Sequence, residues 1–385
     1  MRPAVIIDCV RTPIGRAHPE KGLYRDVRSD DLAVACVQAL IERTKIDPSQ
    51  IEDLLFGCTQ QAAEQGLNVA REIALVAGLP VTAGGTTVNR LCGSSLQALN
   101  QAVHAIQSNA EDVQIVGGLE HMHHLPMDFQ FDPNPKLFAH TSKGALLMGV
   151  TAEFLAQTQV ISRQDQDAFA LHSHTRAAKA HASGQFDREI VPVYGRDEDG
   201  NRILAKIDQC VRPDASLEAL AALKPAFMPK FGTVTAGNSS PLNDGAAAML
   251  VMSEEKAREL GLKPLVRVVA TAIAGVEPCV MGTGPVPATK KALARAGLKL
   301  SDIDLIELNE AFAAQSLACI RMLGIDEAKV NVRGGAIAIG HPLGASGARI
   351  ATTLIRTMVD RGARLGLATM CIGLGQGIAT IFERI

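Results

Sequence analysis

The stretch Thr86-Thr87-Val88-Asn89-Arg90-Leu91-Cys92-Gly93-Ser94-Ser95-Leu96-Gln97-Ala98-Leu99 changes character halfway along. Residues 86–89 predict a strand, and from Leu96 the apolar side chains recur at helical spacing through Leu99, Val103 and Ile106. A loop of small residues carrying Cys92 separates the two. The same order returns near the other end: a strand over 330–332, a glycine-rich loop, and a helix over 346–358. Outward from the first copy, strands are predicted at 5–10, 54–57 and 113–116, with helices at 31–43 and 68–76. Around the second copy, strands at 265–270 and 303–308 alternate with helices at 287–296 and 312–323. Such alternation predicts a layered α/β fold with an internal duplication. Between His121 and Asp244 the pattern turns irregular, with Pro126, Pro133, Pro135 and two helices within 152–183, which reads as an insertion elaborating a site.

The chain has 385 residues, 38 Lys+Arg against 40 Asp+Glu, and a net charge of −2. Without a basic block it offers no face for nucleic acid or an anionic membrane. With no Trp and two Tyr it also lacks a base-stacking platform. Hydrophobic residues at 47% and charged residues at 20% fit a compact globular enzyme. The eight cysteines form no C-x-x-C pair, and scattered thiols fit a reducing cytoplasm. Asp8 and Arg11 follow the start too closely for an export signal. Residues 365–382 carry no charge, but Gly366, Gly373, Gly375, Gly377 and Gln376 make them two buried strands around a turn, not a membrane helix.

Four loops carry residues suited to chemistry. Cys92, before Gly93-Ser94-Ser95 at a helix start, sits among unpaired backbone N–H groups, which lower a thiol pKa; the alternative is a core cysteine. His341, in Gly340-His341-Pro342-Leu343-Gly344, is a base able to generate a thiolate, or a structural histidine. Cys371, in Cys371-Ile372-Gly373-Leu374-Gly375, adds a second thiol; one sulfur can bond carbon while the other moves a proton, and a disulfide is the structural alternative. Asn309, in Asn309-Glu310-Ala311-Phe312, can hold a water, donate to an oxyanion, or cap the following helix. His121, His123 and His124 lack an acid or thiol at a metal-ligand spacing, so no metal is expected. Neither phosphate-binding glycine motif is present.

Taken together and in order, these four loops resemble those of the thiolase family, as do Val10-Arg11-Thr12-Pro13 and the run from Gly232 through Ser240 to Asn243-Asp244-Gly245-Ala246. The resemblance implies the thiolase fold: two similar halves building an α-β-α-β-α five-layer arrangement, with a loop domain inserted in the first. The expected division is 1–119 with 243–262, 120–242, and 263–385. Cys371 sets the chain apart from the related ketosynthases, which share the nucleophile but lack a cysteine at this place. The C-terminal motif is most similar to degradative bacterial members of the family, which form the β-subunit of the fatty acid oxidation complex. Biosynthetic members usually have Gly-Gly-Gly after the second cysteine and a His before Met-Gly; here stand Gly373-Leu374-Gly375 and Leu147. Lys224 stands where Arg is common.

The implied activity is thiolytic cleavage of a 3-ketoacyl-CoA by CoA, with acetoacetyl-CoA synthesis as the alternative. In that scheme Cys92 is the nucleophile, His341 its base and Cys371 the acid and base at carbon. Asn309 with His341, and the N–H groups of Cys92 and Gly373, are implied as two oxyanion holes. Ser240 and Phe227 match positions near the pantetheine arm of CoA. CoA enters as cosubstrate and no cofactor is implied. The implied assembly is a homodimer docked on a hydratase/dehydrogenase α-subunit, giving two α and two β chains.

Overall fold

A computed structural model describes residues 2–385. In the first half, β1 (Ala4–Arg11), β2 (Gly15–Arg16), α1 (Ser29–Thr44), β3 (Asp53–Gly57), α2 (Val69–Val76), β4 (Thr86–Val88), α3 (Ser94–Gln107) and β5 (Val113–His121) follow one another. The chain then leaves the sheet for α4 (Met148–Thr158), α5 (Arg163–Ala182), the hairpin β6 (Val193–Arg196) and β7 (Arg202–Ala205), and α6 (Leu217–Ala221). It returns as β8 (Asn243–Ser253) and α7 (Glu254–Glu259). The second half runs β9 (Val266–Gly275), α8 (Pro285–Ala296), β10 (Leu305–Leu308), α9 (Ala313–Leu323), α10 (Ser346–Arg361), β11 (Leu365–Ile372) and β12 (Gln376–Arg384).

The main sheet has the order β10-β11-β12-β9-β1-β8-β5-β3-β4. Its centre is a pseudo-twofold: β4, β3 and β5 run parallel, then β8 and β1 alternate, while β10 and β11 run parallel, then β12 and β9 alternate. The halves meet at β1 and β9 through two residue pairs, Val5 with Arg267 and Ile6 with Val266. Three apolar clusters divide the layers. One packs α1 and α2 on the first half-sheet, and another packs α8 and α9 on the second. The third sets Leu96, Leu99 and Val103 of α3 and Ile350, Leu354 and Met358 of α10 between inward side chains of both half-sheets, among them Met249, Val251, Met370 and Phe382. This is the five-layer thiolase arrangement, and the α3–α10 pair is its middle layer.

The structure departs from the sequence pattern in two respects. The strand expected over 330–332 is a single parallel bridge from Val330 to Ile306. Asn331 turns to φ 44°, and its carboxamide both accepts from Leu308 N–H (2.9 Å) and donates to the Leu308 carbonyl (2.8 Å). A side chain thus replaces the main-chain ladder. The strands begun at 113 and 266 also run on, to His121 and Gly275, because partner strands continue alongside them. No helix among the described residues is long and apolar enough to cross a membrane.

Candidate active site

Strand β4 ends at Val88, and the loop before α3 is folded by its own polar groups. Leu91 adopts φ 45°, a conformation costly for a branched residue. It is held by Asn89 Oδ1 accepting from Leu91 N–H (2.9 Å) and by Ser94 Oγ donating to the Leu91 carbonyl (2.6 Å). Arg90 ties the loop to the start of β12 by donating to Gln376 Oε1 (2.8 Å). The bend leaves Cys92 just ahead of α3, with 6% of its surface exposed. A Cβ on Gly93 would sit 2.5 Å from Ile372 Cδ1, so glycine lets the end of β11 lie against the Cys92 loop. That end carries Cys371, also buried.

The backbone groups of Gly373 and of Cys92 itself act to lower the Cys92 pKa. Burial nonetheless outweighs them and pushes the thiol up to about 11. The start of a helix favours a lower thiol pKa, but desolvation of a buried thiolate wins over the partial charges of a few N–H groups. Cys371 is raised further, by burial first and then by the neighbouring thiols Cys92 and Cys319. Both sulfurs therefore rest as thiols and need a base.

His341 comes from the equivalent loop of the second half, ahead of α10. The first turns of the two middle-layer helices touch: Ser95 Oγ accepts from Ala348 N–H (2.8 Å), and a Cβ on Gly347 would overlap the Leu96 amide. Glu120, buried at the end of β5, clamps the histidine loop by accepting from Gly344 N–H (2.8 Å) as well as from Thr59 Oγ (2.6 Å) and Gln65 Nε2 (2.9 Å). Asn243 accepts from His341 N–H (2.8 Å).

The imidazole tautomer follows from its partners. Ser346 Oγ donates to the Pro342 carbonyl (2.7 Å), so it accepts from His341 Nδ1–H at 2.6 Å. On the other side, the Asn309 amide donates to His341 Nε2 (3.3 Å). Nε2 therefore keeps its lone pair. Burial, and then the charge of Arg349, pushes His341 down to about 3, which keeps the ring neutral at physiological pH. Asn309 sits just beyond β10, its N–H bonded to the Thr369 carbonyl (3.0 Å). It does not cap the next helix, which begins after Phe312.

Ser240 and Phe227 flank the Asn309 loop from outside. Ser240 donates through N–H and Oγ to the Ala311 carbonyl (3.0 and 3.1 Å). Phe227 lies edge-on to Phe312 (centroids 6.0 Å), covers Gly149, and is 42% exposed. Phe312, Met148 and Cys371 share one apolar cluster behind it. The exposed aromatic and the buried thiol thus mark the outer and inner ends of one region.

Sequence reasoning missed Glu120, Asn243, Ser346 and Arg349. Each is polar and fully or nearly buried, which spacing alone does not disclose. It also missed Glu64, far away in sequence, which lies with His121 and His124. The two rings stack at 3.7 Å, and their nitrogens are already engaged: His124 with Glu64 Oε1 and the Arg25 carbonyl, His121 with the Tyr24 carbonyl and His124 N–H. That is a hydrogen-bonded stack rather than a set of free metal ligands.

A duplicated five-layer fold, with a cysteine loop and a histidine loop facing one another from its two halves, defines an acyl-transfer enzyme. The chain belongs to the thiolase family: the profile for "Thiolase, N-terminal domain" matches residues 4–255 and that for "Thiolase, C-terminal domain" matches residues 262–384. It is 57% identical over 389 residues to a protein of Aliivibrio fischeri named 3-ketoacyl-CoA thiolase, with 100% of both chains covered. It is 54% identical over 386 residues to a Marinomonas protein of the same name, covering 99% of this chain and 98% of that one. Among solved structures, human mitochondrial 3-ketoacyl-CoA thiolase superposes with a TM-score of 0.92 at 36% identity over 100% of this chain and 99% of that one. The Bacillus anthracis acetyl-CoA acetyltransferase superposes at 0.91 with 40% identity and the same coverage.

Proposed function

We propose that this enzyme is a 3-ketoacyl-CoA thiolase that cleaves its substrate with CoA into acetyl-CoA and an acyl-CoA shortened by two carbons, in fatty acid β-oxidation. The observation that carries the reading at the site is the fixed tautomer of His341, whose Nε2 lone pair belongs to a buried neutral base. His341 takes the proton of Cys92, and the thiolate attacks the 3-keto carbon. The oxyanion is met by His341 and by Asn309, through a water. The C2–C3 bond breaks, Cys371 gives its proton to C2, and acetyl-CoA leaves. The acyl group stays on Cys92 as a thioester, its carbonyl oxygen facing the N–H groups of Cys92 and Gly373. CoA then yields its thiol proton to the Cys371 thiolate and attacks; the shortened acyl-CoA departs, and Cys92 recovers its proton from His341. The α-carbanion of a thioester is stable enough that no metal or redox cofactor is required.

CoA serves as cosubstrate, with Ser240 and Phe227 beside its pantetheine arm. The working division of the chain is 1–119 with 243–262, a loop domain over 120–242, and 263–385. We read the protein as a cytoplasmic homodimer: Leu67, Leu75, Val76 and Val81 are exposed near the edge strand β4, which pairs on one side alone. Docking of that dimer on a hydratase/dehydrogenase α-subunit rests on the resemblance to the degradative members. A second reading, acetoacetyl-CoA synthesis, is favoured by the likeness to the Bacillus anthracis enzyme.

The test is CoA-dependent cleavage of 3-ketoacyl-CoA substrates from four to sixteen carbons, with Cys92→Ala beside the wild type. Long-chain activity that vanishes in the variant is expected. Activity confined to four carbons transfers the assignment to the second reading, and full activity in Cys92→Ala overturns the mechanism.

A further inference from the structure

Behind Asn309, on the side away from His341, lies a fully buried cation. Arg349 Nη2 donates to Asn309 Oδ1 (3.4 Å), and its Nη1 lies 3.8 Å from Glu307 Oε2. Guanidinium has donors and no acceptor, so the group that Asn309 turns toward it must be the carbonyl oxygen. The amide nitrogen then has to face His341. From this end the hydrogen bonds run one way: Arg349 to Asn309, Asn309 to His341 Nε2, His341 Nδ1 to Ser346, Ser346 to the Pro342 carbonyl. The series starts on a group that can only donate and ends on one that can only accept, so no member can be reversed alone.

We infer that Arg349 is a positioning residue of the acyl-transfer reaction: it locks the Asn309 carboxamide so that its N–H faces the reaction side, and it fixes the proton of His341 on Nδ1. The inference deepens the thiolase reading and rests on it for the activity part alone. The pairing with Glu307 does not account for this arginine. Its Nε and Nη1 and the Glu307 Oε2 all lack hydrogen-bond partners. Burial pushes the Glu307 carboxyl up while the charge of Arg349 pulls it down, so the two groups act on one another across 3.8 Å without a hydrogen bond. The other charged groups acting on Arg349 are Glu310, Arg11 and Asp208.

Two variants test this: Arg349→Met, and the double variant Glu307→Gln with Arg349→Met, which removes both buried charges and so retains a route to folding. In protein labelled with nitrogen-15 at histidine, His341, assigned by its loss in His341→Asn, is expected in the wild type as one neutral Nδ1–H form down to pH 5. In the variants a second tautomer, with the proton on Nε2, appears beside the first, and protonation moves toward higher pH. The acid limb of the kcat profile for thiolysis moves up with it, kcat falls about 10- to 100-fold, and KM stays within about twofold. Arg349→Lys, which keeps a buried donor cation, is expected to restore the pH limb. An unchanged His341 titration and tautomer in a folded variant overturns the inference, whatever happens to kcat. Absence of thiolysis in the wild type rejects the thiolase reading and leaves the nitrogen-15 result to judge Arg349 by itself.

Discussion

Replacing Ser346 with alanine removes one oxygen from the far end of the series that fixes His341. That oxygen accepts from His341 Nδ1 at 2.6 Å and donates to the Pro342 carbonyl at 2.7 Å, and Ser346 and His341 are both buried. Two outcomes are open to the imidazole in Ser346→Ala. Its Nδ1–H stays and loses its partner, or the proton moves to Nε2, where it points at the Asn309 amide, itself a donor. Either leaves a buried polar group unsatisfied, a cost of about 1–3 kcal/mol. If that cost falls on the step in which Nε2 takes the Cys92 proton, kcat/KM drops about 5- to 150-fold. The assay pairs steady-state thiolysis with the rate of Cys92 alkylation by iodoacetamide at pH 7, well below the melting temperature. Both rates fall together if the base is what has been damaged. A folded Ser346→Ala enzyme with kcat/KM within twofold of wild type refutes the tautomer argument.

Gly118→Ala tests the contact between the halves: the new methyl would overlap the Gly344 carbonyl and meet Ser95 Cβ at 2.7 Å. The variant is expected to lose about 1–3 kcal/mol of stability together with activity, since the His341 loop has to move; urea unfolding and thiolysis report both, and wild-type values for each refute the packing claim. The buried His174, which accepts from Arg212 N–H (3.2 Å), is held at about 4 instead of 6.5 by burial and then by Arg212. Below pH 6.5 the unfolded chain binds the extra proton, so stability falls with pH, by about 2 kcal/mol at pH 5 for this group. In His174→Asn, whose amide oxygen can take the same N–H, the unfolding free energy should lose about 2 kcal/mol less between pH 7 and pH 5; an unaltered pH slope counts against the assignment.

Much of the fold is legible because its elements keep a clean period. The stretch from Thr86 to Ile106 and the second-half helices show their apolar faces directly, and their placement agrees with the structure. Strand β8 is harder to see: Ala246, Ala247 and Ala248 have no β-branching, and they lie in a strand because β1 and β5 pair with them from both sides. Asn331 misleads in the opposite sense, since its side chain imitates a strand's hydrogen bonds. The candidate nucleophile and base are legible from loop chemistry. The groups that orient them are not, because Arg349, Ser346 and Glu120 act through burial and through contacts distant in sequence. For the same reason the direction of the Cys92 pKa is read wrongly from its helix start: how dry a site becomes depends on the whole fold.

The middle layer has a consequence for biosynthesis. Helix α3 leaves the ribosome early, whereas α10, which covers it, is among the last elements made. At about 5–20 residues per second, tens of seconds separate them, and through that interval the side of α3 that packs on α10 stays uncovered. Cys92, the proposed nucleophile, and His341, its proposed base, are brought together only when the final helix docks, so a product truncated before α10 is expected to carry the thiol without that base.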